Sequence, residues 1–181
     1  MRVVVLCGLP GVGKLTAAKG LAQLRGYRVF HNHLVFDAVE ALFPFGSAAF
    51  IELRERLWFD LLSRAINEGV GDVVFTIARD QSLRADFLIT LTSALSRLGA
   101  EVCCIELTCS IRDLEQRLAS ADRSQFGKLN SVERFRQLHS NDAFPRFTMP
   151  REAIGVDTTG LSAAAAVAVI DAQINRAQSG T

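Results

Sequence analysis

A chain of 181 residues, 49% hydrophobic and 22% charged, can bury one sizeable core and is too short for two full domains. That balance excludes a disordered chain. The formal net charge of +1 gives no broad electrostatic case for nucleic acid or an acidic membrane, and leaves only a local basic pocket open.

Taken in order, residues 2–7 are a β-branched run that stops at Gly8, which predicts a buried strand. MRVVVLCG is too short for a signal peptide or a membrane span. Leu15, Ala18, Leu21, Ala22 and Leu24 then recur at helical spacing until Gly26. A second strand is expected at 27–30, followed by the HNH triplet and a helical stretch at 35–42, broken by Pro44 and Gly46. Ser47 is placed to cap a long helix over 48–68. VVFTIA reads as the third strand, and Asp80 or Ser82 is expected to start a helix over 83–98.

EVCCIELT is the fourth strand, and Ser110-Ile111-Arg112-Asp113 has capping-box spacing before a helix at 114–119. Residues 120–150 have the weakest periodicity, several basic side chains and two prolines, so part of this stretch is expected to move. AIGVD is the last strand and 161–177 the last helix, where Asp171 and Gln173 interrupt the apolar run. Strands alternating with helices predict an α/β domain with a mostly parallel sheet covered on both faces, without a second domain. Cys7, Cys103, Cys104 and Cys109 form no Cys-x-x-Cys pair and read as reduced core residues of a cytoplasmic protein.

The strand–loop–helix at the start carries the chemistry. Glycine permits positive φ and close approach of backbone to a ligand, and a helix N-terminus presents free N–H groups to a phosphate. Lys14 adds a mobile positive charge, and a threonine hydroxyl can join Mg²⁺. Against G-x-x-x-x-G-K-[ST], Leu15 occupies the hydroxyl position and Thr16 follows one residue later. The competing reading is a plain glycine-rich turn with a surface lysine.

Gly8-Leu9-Pro10-Gly11-Val12-Gly13-Lys14-Leu15-Thr16 resembles the phosphate loop of nucleoside-monophosphate kinases. In element order the chain resembles the small P-loop kinases, including shikimate and gluconate kinases and chloramphenicol phosphotransferase. This resemblance implies a three-layer P-loop fold with a five-stranded mostly parallel sheet in order 2-3-1-4-5. It also implies ATP at residues 8–16, acceptor-side helices over 32–68 and a mobile basic lid over 117–150.

His31, Asn32, His33 and Asp37 follow the second strand, where open α/β sheets place ligands. By resemblance an acid beyond this strand orients or deprotonates the acceptor. Asp37 is the nominal base, and His31 or His33 can take that role because a neutral imidazole accepts a proton near neutral pH. Helix capping by His31 and Asn32 is the competing reading. The HNH letters lack the rest of a nuclease metal site, and no third ligand suggests structural zinc.

Arg54 resembles the acceptor-binding arginine of shikimate-type enzymes, and is otherwise a salt-bridge partner for Glu52, Glu55 or Asp60. Arg79 is a further acceptor-side candidate. Asp80 stands either in a magnesium shell or as a helix cap, and Thr76 offers another hold on a metal-bound water. Arg117 and Arg123, with Lys128 beyond, resemble lid cations that stabilise charge on a phosphoryl group in transfer. Asp157, Thr158 and Thr159 resemble the strand exit that borders adenine, and also fit a helix cap.

The resulting expectation is Mg²⁺-dependent transfer of the ATP γ-phosphate to a hydroxyl or phosphate of a small molecule, by a monomer or homodimer. No stable nucleic-acid or membrane partner is expected. The alternatives are a nucleotide-binding NTPase or switch acting through a protein partner, and a nucleotide or RNA-end kinase.

Overall fold

The computed structural model describes residues 1–119 and 131–179. The strands are β1 (Arg2–Gly8), β2 (Arg28–His31), β3 (Val73–Ala78), β4 (Glu101–Thr108) and β5 (Ile154–Asp157). They form one five-stranded sheet in order β2-β3-β1-β4-β5, and every neighbouring pair is parallel. The helices among the described residues are α1 (Lys14–Arg25), α2 (His33–Glu40), α3 (Ala48–Asn67), α4 (Phe87–Arg97), α5 (Ile111–Ala119), α6 (Val132–Ser140) and α7 (Ala163–Ser179).

The central strand explains the three layers. β1 is apolar at successive positions because its neighbours cover both faces. By the two-residue pleat Val3, Val5 and Cys7 face one core, and Val4 and Leu6 the other. On the first face lie Phe50, Trp58 and Leu62 of α3 with Leu88, Leu91 and Leu95 of α4. On the second lie Ala17 and Leu21 of α1 with Ile170 and Ile174 of α7. Gly20 sits where α1 meets α7, and a Cβ built there would run into the Cγ atoms of Val167.

Strand order and the parallel sheet follow the expectation, and several boundaries move. β2 starts and ends one residue later than expected, so His31 joins the sheet opposite Thr76. Ser47 caps α3, its hydroxyl accepting from Phe50 N at 3.2 Å. α4 begins at Phe87 rather than at residue 83, because Asp80 and Ser82 bond each other and Arg54 instead of capping a helix. The stretch without clear periodicity contains α6, capped by Ser131. It is held by Phe135, which packs with Leu114 and Leu118 of α5 and stacks on Phe144.

All four cysteines are free, with Cys7, Cys103 and Cys104 buried and Cys109 half-buried. Among the described residues, no helix is long and apolar enough to cross a membrane.

Candidate functional site

β1 ends at Gly8 and α1 begins at Lys14, and the intervening turn is built on left-handed glycines: φ is 141° at Gly8, 97° at Gly11 and 105° at Gly13. Gly8 also lies so close to β4 that a Cβ would strike the Leu107 carbonyl oxygen. The loop therefore closes tightly over the end of the sheet. Ala17 N is the first amide of this helix to bond back, to Gly13 O at 2.9 Å, so the first-turn amides point out of the helix N-terminus. Lys14 is buried and its ammonium donates to Gly8 O at 3.0 Å and Leu9 O at 2.8 Å. Thr16 is exposed, two positions into the helix, while Leu15 is half-buried.

A cleft of about 1550 Å³ lies in front of this loop, and it brings together Gly13, Lys14, Thr16, His31, Asn32, His33, Thr76, Arg117 and Thr158. The loop, the exit of β2, one side of α5 and the exit of β5 thus share one concavity. It continues along the groove between α1 and α7. His33 Nδ1 lies 3.1 Å from Asp37 Oδ1, one turn further along α2. Asp37 itself is half-exposed and is not among the residues that line the cleft.

Arg117 crosses from α5 to the glycine loop. One terminal nitrogen donates to Val12 O at 2.9 Å and Thr158 Oγ1 at 3.0 Å, and the other to Thr158 O at 2.7 Å. Thr158 is itself tied to β4, with N and Oγ1 both donating to Thr108 O. Asp157 accepts from Thr159 N at 2.9 Å and from its hydroxyl at 2.7 Å, and Ser110 N donates to Thr159 Oγ1 at 2.8 Å. Asp113 accepts from Gly160 N at 2.5 Å, and its own N donates to Ser110 Oγ at 3.1 Å, the cap expected from the Ser-x-x-Asp spacing. These bonds hold the Asp113 and Asp157 carboxyls below the usual carboxylate range, chiefly through Gly160 N–H for Asp113 and the Thr159 hydroxyl for Asp157.

Like Asp37, the candidates Arg54, Asp80 and Arg79 fall outside the cleft lining. Arg54 is fully buried, with its guanidinium stacked on Phe50 and Trp58 at 4.8 and 5.0 Å from the ring centroids. It donates to Asp80 Oδ2 at 3.3 Å, Ser82 Oγ at 3.1 Å and Ser82 O at 2.9 Å. The expected partners Glu52, Glu55 and Asp60 are thereby corrected to Asp80, while Glu55 instead takes Arg84 at 2.5 Å and Asp60 takes Arg56 at 3.5 Å. Asp80 accepts from Ser82 N at 2.8 Å and also from the Ser82 hydroxyl. Arg79 forms an ion pair with Glu106 of β4, and its N donates to Gly8 O at 3.1 Å. Burial pushes the Arg79 guanidinium down from its ordinary value, with Arg146 adding repulsion against the pull of Cys7.

Glu106 was not singled out from sequence, and Asp113 was read only as part of a helix cap. The signal for Glu106 is an acid inside the otherwise apolar VCCIEL, a position that demands a cation when the strand is central. Arg123 and Lys128 lie outside the described residues.

No protein-family model and no curated protein matches the chain. Solved structures do. A tunicamycin resistance protein of Deinococcus radiodurans is 23% identical, with 96% of this chain and 95% of that chain covered and a TM-score of 0.64. A sugar kinase from Janibacter sp. is 12% identical, with 97% and 95% covered and the same TM-score of 0.64. A gluconokinase from Sinorhizobium meliloti is 15% identical, with 96% and 95% covered and a TM-score of 0.52. The chain shares their fold. Coverage of nearly the whole chain on both sides means that the likeness extends to the full sheet and its helices, not to the first loop alone.

Proposed function

We propose that this protein transfers the γ-phosphate of ATP to a hydroxyl or phosphate of a small molecule, with Mg²⁺. The observation that carries the reading is the glycine loop delivering Lys14 to the first position of α1, inside a cleft shared with the polar exit of β2. Such a loop offers a terminal phosphate backbone N–H groups, the positive end of a helix and an ammonium in one place. The fold shared with a sugar kinase and a gluconokinase adds weight by analogy.

In this reading the backbone of residues 8–16 and Lys14 bind the phosphates. The residues fit a nucleotide on geometry, since positive φ at Gly8, Gly11 and Gly13 lets the loop close against β4 while Gly11, Gly13 and Lys14 line the cleft. The exposed Thr16 hydroxyl on the cleft would hold Mg²⁺, which when bound neutralises charge between the phosphates. Among the described residues there is no cluster of three or more His, Cys, Asp or Glu side chains that could hold a metal ion. Asp80, the other residue expected in that shell, lies off the cleft with Oδ1 engaged by Ser82 and Oδ2 by Arg54, so Thr16 is the metal-side residue in this reading. Asp157, Thr158 and Thr159 would border the base, with Arg117 fixing Thr158 against the loop. Arg123 would cover the transferring group. His31, Asn32, His33 and Asp37 form the acceptor side.

The test is incubation with radiolabelled ATP, Mg²⁺ and a library of metabolites and oligonucleotides. One labelled organic product, lost in a Lys14→Ala protein that still unfolds cooperatively but no longer binds ATP, is the expected result. Label released only as free phosphate would replace the transferase with an NTPase, and label on oligonucleotides with an end kinase. Unchanged turnover in Lys14→Ala would defeat the assignment altogether.

A further inference from the structure

We infer that His33, held by Asp37, is the general base, and that the acceptor is an uncharged alcohol. This deepens the transferase reading and rests on it. Asp37 is the nearest acid beyond β2, yet the cleft is lined by His33 and not by Asp37. The four-residue spacing puts both on one face of α2, and the carboxylate meets Nδ1 at 3.1 Å. A carboxylate only accepts, so Nδ1 carries the hydrogen and Nε2 of the neutral ring keeps its lone pair. Phe36 packs beside the ring at 5.3 Å between centroids and limits its rotation. His31, by contrast, is set in the sheet opposite Thr76, its ring 6.5 Å from that of His33.

The same geometry bears on the acceptor. A phosphate acceptor is already an anion near neutral pH and needs no base, whereas an alcohol must lose its proton as it attacks. The two arginines that sequence offers for gripping an anionic acceptor are engaged elsewhere, Arg54 with Asp80 and Ser82 inside the core and Arg79 with Glu106. The charge nearest the His33 ring is the Asp37 carboxylate, which repels an anion. In the step, the alcohol oxygen bonds to the γ-phosphorus and the bond from that phosphorus to the β–γ bridging oxygen breaks. ADP leaves with the electron pair, and the alcohol proton passes to His33 Nε2 and then to water. Asp37 is a positioning residue that fixes the tautomer and stabilises the imidazolium formed.

Two measurements test this. Nitrogen NMR of labelled protein, with His33→Gln for assignment, is expected to show His33 with its hydrogen on Nδ1, and Asp37→Ala is expected to lose that preference. Separate panels of neutral polyols and sugars, and of nucleoside monophosphates, with radiolabelled ATP are expected to give an acid-stable ester from the first panel only. His33→Gln should then lower kcat by about a hundredfold or more with the KM for ATP unchanged. A hydrogen resident on Nε2 in the wild type, label on a nucleoside monophosphate, or a labelled alcohol with undiminished His33→Gln turnover would each overturn the inference alone. No labelled acceptor in any panel would overturn the transferase reading and this inference with it.

Discussion

Arg117 fastens Thr158 to the glycine loop, its two terminal nitrogens spanning Val12 O, Thr158 Oγ1 and Thr158 O at 2.7–3.0 Å. A guanidinium fork can serve three acceptors in two directions, and an ammonium on a flexible stem cannot. Arg117→Ala is therefore expected to weaken ATP binding by about tenfold or more, since hydrogen bonds from a charged donor contribute about 1.5–3 kcal/mol. Arg117→Lys should recover little of that loss. Calorimetric titration with ATP checks it, and equal affinity in Arg117→Ala would show that the cross-tie has no part in nucleotide binding.

Acid should loosen the same junction. The Asp113 and Asp157 carboxyls are held below their usual range, so their bonds to Gly160 and Thr159 are fully present above the unfolded-state value. They are lost as the pH falls through the lower, folded-state value, which places the effect below about pH 4. Thermal unfolding followed downward from neutral pH should show a decline in that window that is smaller in Asp113→Asn. An identical acid profile for the two proteins would refute the clamp.

Arg54→Ala is expected to destabilise the fold by about 3–5 kcal/mol, because it strands Asp80 and Ser82 against an apolar core and removes the stack on Phe50 and Trp58. Arg54→Met, which keeps the volume, should cost less. Denaturant unfolding distinguishes the two. A loss under about 1 kcal/mol in Arg54→Ala, the range of a surface salt bridge, would contradict the burial argument.

Gly8→Ala tests the loop itself. Its φ of 141° and the Leu107 carbonyl facing the added methyl leave no relaxed position for a side chain, so a loss of about 2–4 kcal/mol is expected along with ATP binding. Wild-type stability in Gly8→Ala would mean that the loop adopts another conformation in solution.

Most of the scaffold could be read from the order of residues, and the reasons are physical. β1 and β3 are runs of β-branched and aromatic residues bounded by glycine or polar residues, and no other element suits them. The Ser47 cap was legible because a hydroxyl three residues before a free amide has one local use. Side chains whose partners are remote in sequence were not. Asp80 looks like a cap for the next helix, yet Arg54, 26 residues earlier, takes it, and α4 starts later in consequence. Arg117 looked like a lid cation, and only the fold brings Val12, 105 residues away, to its fork. The His33–Asp37 pair was half legible. Their spacing puts them on one face of a helix, but which of the two reaches the cleft depends on how α2 sits against the sheet.

The seam between α1 and α7 limits how this sequence can drift. Gly20 leaves a hollow that the Val167 isopropyl group fills, so neither position can grow while the other keeps its size. A larger residue at 20 would be admitted only with a smaller one at 167. Gly20→Ala with Val167→Ala should then be tolerated better than Gly20→Ala by itself, and descendants of this chain are free to exchange bulk across the seam but not to add it.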